Sequence, residues 1–136
     1  MKIFYHALAK KKWCYMSERD KSVLEHIIRY CHEIDDANNQ FGNSLDTMKA
    51  NSAYKNAVSM CILQIGELVF LLSDELKTQY NKMPWHDIKS MRNIAAHKYH
   101  KFDLDTLWET ITEDIPKLKE YCAYIIKTIN TPEHPS

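Results

Sequence analysis

The chain reads as an all-α protein, an up-and-down bundle of four to five helices in a single domain, and three observations carry that reading. Helix breakers are scarce, with 2 Gly and 4 Pro in 136 residues. Apolar residues recur at i, i+3, i+4 and i+7 over long stretches, the pattern of a helix that buries one stripe. No strand-like alternation and no internal repeat interrupts them, and such helices, joined by short links, bury their stripes against one another. A chain of this length buries roughly two-thirds of the surface its unfolded form exposes, which is enough for one core.

Residues 1–15 read as an N-terminal extension, either a flexible arm or the product of an upstream start, ahead of a helical domain over 16–129 and a flexible tail over 130–136. The domain opens at "MSERDKSVLEHII", where Ser17 can cap a helix and Asp20 places a carboxylate in its first turn. Val23, Leu24, Ile27, Ile28, Cys31 and Ile34 then form one stripe, and the helix ends near "DDANNQFGN". One helical turn around Leu45 to Ala50 leads into "SAYKNAVSMCILQIGELVFLLSDEL". Here Val58, Cys61, Ile62, Ile65, Leu68, Val69 and Leu72 make one apolar stripe, and Leu63, Gly66, Phe70 and Leu71 make part of a second. A helix apolar on two sides is central, or is covered by a second chain. Gly66 costs about 1 kcal/mol against Ala in a helix interior, which signals a neighbour packed close to the backbone.

Pro84, in "YNKMPWHD", suits the first turn of a third helix, where its missing N–H has no partner to lose. Asp103 can cap a fourth, longer helix, in which Leu104, Leu107, Trp108, Ile111, Ile115, Leu118, Cys122, Ile125 and Ile129 keep helical spacing. Pro116 lies inside that pattern, so a kink or a short break is expected there.

Lys plus Arg is 18 and Asp plus Glu is 18, so no global positive field holds nucleic acid, and any contact with RNA is local or built by bringing two chains together. Cys14, Cys31, Cys61 and Cys122 are scattered without metal spacing and read as reduced core thiols of a cytoplasmic protein. No secretion signal and no run of about 20 apolar residues is present, so no membrane contact is expected.

The chemistry concentrates in "SMRNIAAHKYHKF" over residues 90–102. At 100° per residue Asn93 and His97 share one stripe of the third helix, and Arg92 lies about 140° round from His97. Ala95 and Ala96 leave no bulk between the polar groups, so another helix can come close. A permanently charged guanidinium, an imidazole that titrates near neutrality and an orienting amide suit phosphodiester chemistry without a metal. By spacing alone, such an Arg…His pair is more often a surface pair or a satisfied structural histidine. His97 and His100, at i and i+3, lack the further ligands a metal site needs. His26, His32 and His86 read as solvated or capping residues, and Trp85 and Trp108 as core anchors rather than base-stacking platforms. Lys10 to Lys12 reads as a solvated run.

Three blocks, "LQIGEL" at 63–68, "MPWHDIKSMRN" at 83–93 and "RNIAAHKY" at 92–99, resemble the HepT-like toxins of the HEPN superfamily in order and spacing, over Ser17 to about Ile126. The resemblance implies a HEPN bundle, a homodimer whose motifs face each other across a shared cleft, and metal-independent endoribonuclease activity on RNA. It makes Arg92 and His97 the catalytic pair, Asn93 the supporting polar residue, and Tyr99 the acceptor of AMP. The implied partner is a nucleotidyltransferase antitoxin of the MNT type, which uses ATP to modify Tyr99; the chain itself is expected to need no cofactor and no metal. The alternative is a catalytically silent HEPN module that binds nucleotide, or that serves as substrate and docking subunit of a nucleotidyltransferase.

Overall fold

The computed structural model describes the backbone of residues 2–96 and 104–130, and side chains over 18–92 and 104–129. Its elements are α1 (Lys2–Phe41), α2 (Leu45–Ala50), α3 (Ser52–Leu71), α4 (Asp74–Gln79), α5 (Trp85–Ala96), α6 (Leu104–Glu109), a π-helical turn (Thr110–Asp114) and α7 (Ile115–Asn130). The described residues are all-α and contain no strand. Because α6, the π turn and α7 run on without a gap, the principal helices are four, with α2 and α4 as short connectors.

No Gly or Pro occurs before Gly42, and α1 runs unbroken from Lys2 to Phe41. The start expected at Ser17 is therefore not a helix boundary. Asp20 has a different task from the expected first-turn carboxylate. It is buried, and its carboxylate accepts hydrogen bonds from the Ser73 N–H, at 2.9 Å, and from the Ser73 hydroxyl. Ser73 in turn accepts from the Leu76 N–H and so caps α4. A buried carboxylate thus ties the α3–α4 link to α1 with a hydrogen bond on each oxygen.

α1 ends where Gly42 (φ 97°) and Asn43 (φ 51°) take left-handed backbone, and both N–H groups return to the Asn38 carbonyl. Gly42 needs no side chain there, and Asn tolerates the region better than most residues. The Asn38 side chain, itself buried, accepts from the hydroxyl of fully buried Tyr54, whose ring stacks on Phe41 at 5.0 Å. Ser44 caps α2 and Asn51 caps α3.

α3 packs against α1 on one side and α5 on the other, and α7 packs against α1. The first α3 stripe is buried, with Leu68 half-buried. The α1 and α7 stripes meet it in one core that includes Leu24, Ile27, Ile34, Ile65, Leu118 and Ile125. Trp85 is buried and donates its indole N–H to the Tyr80 carbonyl at 2.9 Å, in accord with an anchoring role; Trp108 packs half-buried on the core. His26, His32 and His86 are exposed.

At Pro116 the helix does not break. The Ile115 N–H bonds to the Thr110 carbonyl, an i→i−5 link. Proline offers no N–H to the carbonyl four residues back and crowds it, and widening the preceding turn relieves both problems.

Among the described side chains, Cys31, Cys61 and Cys122 are free thiols buried in α1, α3 and α7; the Cys14 side chain lies outside them. Burial, then the charge of Asp35, pushes Cys31 up from 9.0 to about 12. Burial, then Glu33, pushes Cys61 up to about 11, and burial drives Cys122 up as well. These are unreactive core groups.

Two predictions follow from the packing. A Cβ at Gly66 would lie 2.7 Å from the Arg92 Cβ, so Gly66→Ala, which improves helix propensity, is expected to destabilise by about 1–3 kcal/mol through overpacking and to lower the calorimetric midpoint by roughly 3–10 °C. Above pH 9 the unfolded chain loses thiol protons that the fold retains, so stability falls as pH rises from the ordinary thiol value toward the folded values of about 11 for Cys61 and about 12 for Cys31. Urea titrations across that range should show the fall, and Cys61→Ala should make it shallower.

Candidate functional site at the α3–α5 crossing

The position of Arg92 is set by the residue it meets. Gly66 is buried in α3, and besides the Arg92 Cβ its hypothetical Cβ would approach the Arg92 N at 3.2 Å and Cα at 3.3 Å. Nothing larger than glycine lets the two backbones come this close. The close neighbour expected from Gly66 is therefore α5, at the first residue of the R-N-x-x-x-H-x-Y motif.

The next residue of α3 completes the contact. Glu67 Oε1 lies 3.2 Å from Arg92 Nη1, with the two side chains 49% and 40% exposed. An ion pair this open to water is worth about 0–1 kcal/mol. It orients the guanidinium at little energetic cost, leaving N–H donors that can exchange onto a phosphate, whose geometry guanidinium matches with paired hydrogen bonds. One turn before Arg92, the Lys89 ammonium sits over the Phe70 ring, 4.7 Å from its centroid, and adds a second cation to the same side of α5.

Around this pair the second α3 stripe is only partly covered. Leu63 is half-buried, while Phe70 and Leu71 are 52% and 46% exposed, and Met60 is 55% exposed on the same side. An apolar surface thus flanks a charged pair.

Of the residues expected to form the site, Arg92 is described with its side chain and Asn93 as a backbone position of α5. His97 and Tyr99 lie outside the described residues, as do His100 and Asp103. Among the described residues, no group of three or more His, Cys, Asp or Glu side chains could hold a metal ion, and no helix is long and apolar enough to cross a membrane. Motif reading held Glu67 within the "LQIGEL" block but gave it no role in the site. Its signal was in the sequence: an acid directly after the glycine that marks the close approach.

A family profile described as Ribonuclease HepT-like matches residues 25–125. The chain belongs to the HepT-like ribonuclease family. That places it in the HEPN superfamily, and the match covers Gly66, Glu67 and Arg92 together. Curated relatives of this HepT-like chain include a Methanocaldococcus jannaschii protein named "Putative RNase MJ1216", 32% identical over 115 residues, which are 84% of this chain and 93% of the relative. Another from that organism, "Gamma-glutamylcyclotransferase and putative RNase MJ0434", is 32% identical over 110 residues, 81% of this chain; the matched part spans 49% of that longer relative. "Probable ribonuclease HepT" of Thermococcus cleftensis is 35% identical over 63 residues, 46% of this chain and 57% of that one. No solved structure matches.

Since the Glu67–Arg92 pair is half-exposed, Glu67→Gln should shift the folding free energy by no more than about 1 kcal/mol. Chemical denaturation checks this, and a larger loss would make the pair a structural element.

Proposed function

We propose that this HepT-like chain is the ribonuclease toxin of a toxin–antitoxin pair, cutting RNA without a metal and silenced by adenylylation of Tyr99. The observation that carries the reading is the half-exposed Arg92 guanidinium, held at the α3–α5 crossing by Gly66 and Glu67, in a chain of a ribonuclease family.

In the proposed reaction the ribose 2′-hydroxyl attacks the adjacent phosphorus in line. The 2′-oxygen to phosphorus bond forms, the bond from phosphorus to the 5′-oxygen breaks, and the products are a 2′,3′-cyclic phosphate and a 5′-hydroxyl. His97 takes the proton of the 2′-hydroxyl, and a second His97, from a partner copy, returns one to the leaving 5′-oxygen. Arg92 neutralises charge on the phosphoryl oxygens, and Asn93 orients the groups by hydrogen bonding. The chain needs no cofactor of its own.

A homodimer with α5 at its interface supplies the second motif and concentrates positive charge that a chain of formal net charge +0 lacks. The exposed Met60, Phe70 and Leu71 beside Arg92 offer apolar surface for a second copy to cover. The antitoxin is an MNT-type nucleotidyltransferase. The Tyr99 oxygen attacks the α-phosphorus of ATP, pyrophosphate leaves, and the AMP left on Tyr99, two residues from His97, adds bulk and negative charge in the cleft. The reaction places the protein in the cytoplasm, with RNA and ATP.

Induced expression of wild type, Arg92→Ala, His97→Ala and Tyr99→Phe, with RNA ends mapped in the arrested cells, tests this. Wild type and Tyr99→Phe are expected to cut RNA. Loss of the Arg92 guanidinium should lower cleavage by about 10²–10³-fold, and Glu67→Gln by no more than about fivefold. If all four chains leave RNA intact, the chain is instead a silent HEPN module that binds nucleotide or docks the nucleotidyltransferase.

A further inference from the structure

A groove with no role in the proposed chemistry starts at the N-terminal end of α5 and runs along the helix. Its first section, about 730 Å³, lies between the α4–α5 link and α7, with Tyr80, Tyr121, Tyr124, Lys82 and Lys117 in its walls. Its second, about 530 Å³, shares Lys82, Met83 and Lys117 with the first and follows the α5–α7 seam to Met91, the residue before Arg92. From Asp114, the last residue of the π turn, to Tyr124 in α7 this wall is roughly 15 Å long.

The tyrosines form a platform. Tyr121 and Tyr124 lie 5.9 Å apart with planes 30° from parallel, and Tyr80 meets both rings edge-on at 6.5 Å. Tyr80 is buried and braces the cluster, while Tyr124 is 56% exposed and offers an open ring face. Trp85 packs against Tyr121 at 6.1 Å, so the platform is held from behind. Lys82 and Lys117 line both sections; Glu120 joins them beside the tyrosines, and Asp87 and Asp114 join them toward Met91.

Resting on the ribonuclease reading, we propose that this groove holds the single-stranded RNA that flanks the cleaved bond: one base stacks on Tyr124, Lys82 and Lys117 take the adjoining phosphates, and Asp87 and Asp114 face base edges. Open aromatic faces with nearby cations are how single strands are held without a fixed sequence. Carboxylates repel phosphates but accept from base amino groups, so Asp87 and Asp114 favour bases that carry one over uracil. The groove reaches Met91, one residue before Arg92 and about 100° from it around α5, so the strand rounds α5 to meet the guanidinium.

The test is fluorescence anisotropy of a short labelled single-stranded RNA on the full chain carrying His97→Ala, which leaves the RNA uncut. Adding Tyr124→Ala should weaken binding by about five- to a hundredfold, and Tyr124→Phe should retain it. Adding Lys117→Ala should flatten the dependence of log affinity on log salt by about 0.7. In the otherwise wild-type chain, Tyr124→Ala should raise KM with kcat nearly unchanged. Both sites are exposed, and circular dichroism confirms the folded state. If the parent binds RNA and both groove variants match it, or if they lose only the nucleotidyltransferase partner, the groove assignment is overturned while the ribonuclease reading stands. If wild type neither cuts nor the parent binds RNA, both fall.

Discussion

The arrangement depends on the close crossing of α3 and α5 at Gly66. Two helices that each carry a Cβ at their point of contact stay further apart; here one of them carries none, and Arg92 sits where the Cβ would be. That single vacancy converts a packing contact into an address for a functional side chain. It brings Glu67 within ion-pair distance, sets Lys89 over Phe70, and leaves the guanidinium half in water. The same residues that order the core therefore aim the charge.

Away from the crossing, buried polar contacts fix the connecting segments. Asp20 holds Ser73, Asn38 holds Tyr54, and the Tyr80 carbonyl holds the Trp85 indole. Each joins a link or helix end to another part of the chain, so both ends of α3 and α4 and the start of α5 are specified by hydrogen bonds as well as by area. No buried side-chain nitrogen or oxygen among the described residues is left without a partner. Such contacts are costly to break because the remaining group would be stranded in a dry interior.

What the sequence revealed and what it hid follow from the range of the forces involved. The stripes of α1, α3 and the long last helix were legible because each is a local periodicity, and the short α2 was legible from the turn around Leu45. α4 was passed over, although Ser73 followed by Asp74 and Glu75 is a helix start, because six residues give too little periodicity to see. The misplaced start at Ser17 has a different cause. A capping pattern is local, but whether it caps depends on what precedes it, and here the helix continues through it while Asp20 bonds a residue 53 positions away. Gly66 announced a close neighbour without naming it, since the identity of Arg92 is a long-range fact. Glu67 stood in the "LQIGEL" block, but its pairing with Arg92 is a long-range fact of the same kind.

The π turn ahead of Pro116 acts as a phase shifter in a continuous rod. Leu107, Ile111 and Ile115 are spaced four apart, and in a uniform α-helix that spacing drifts steadily around the axis. A turn that closes on the fifth residue takes up part of the drift, so these side chains reach the core together with Leu118, Cys122 and Ile125. The two halves of the rod consequently serve different neighbours, α6 meeting α2, where Lys49 pairs with Asp105 at 3.4 Å, and α7 meeting α1. A change of one residue in length between Thr110 and Asp114 would be absorbed as rotation of the α6 half, and the α1–α7 seam would keep its register.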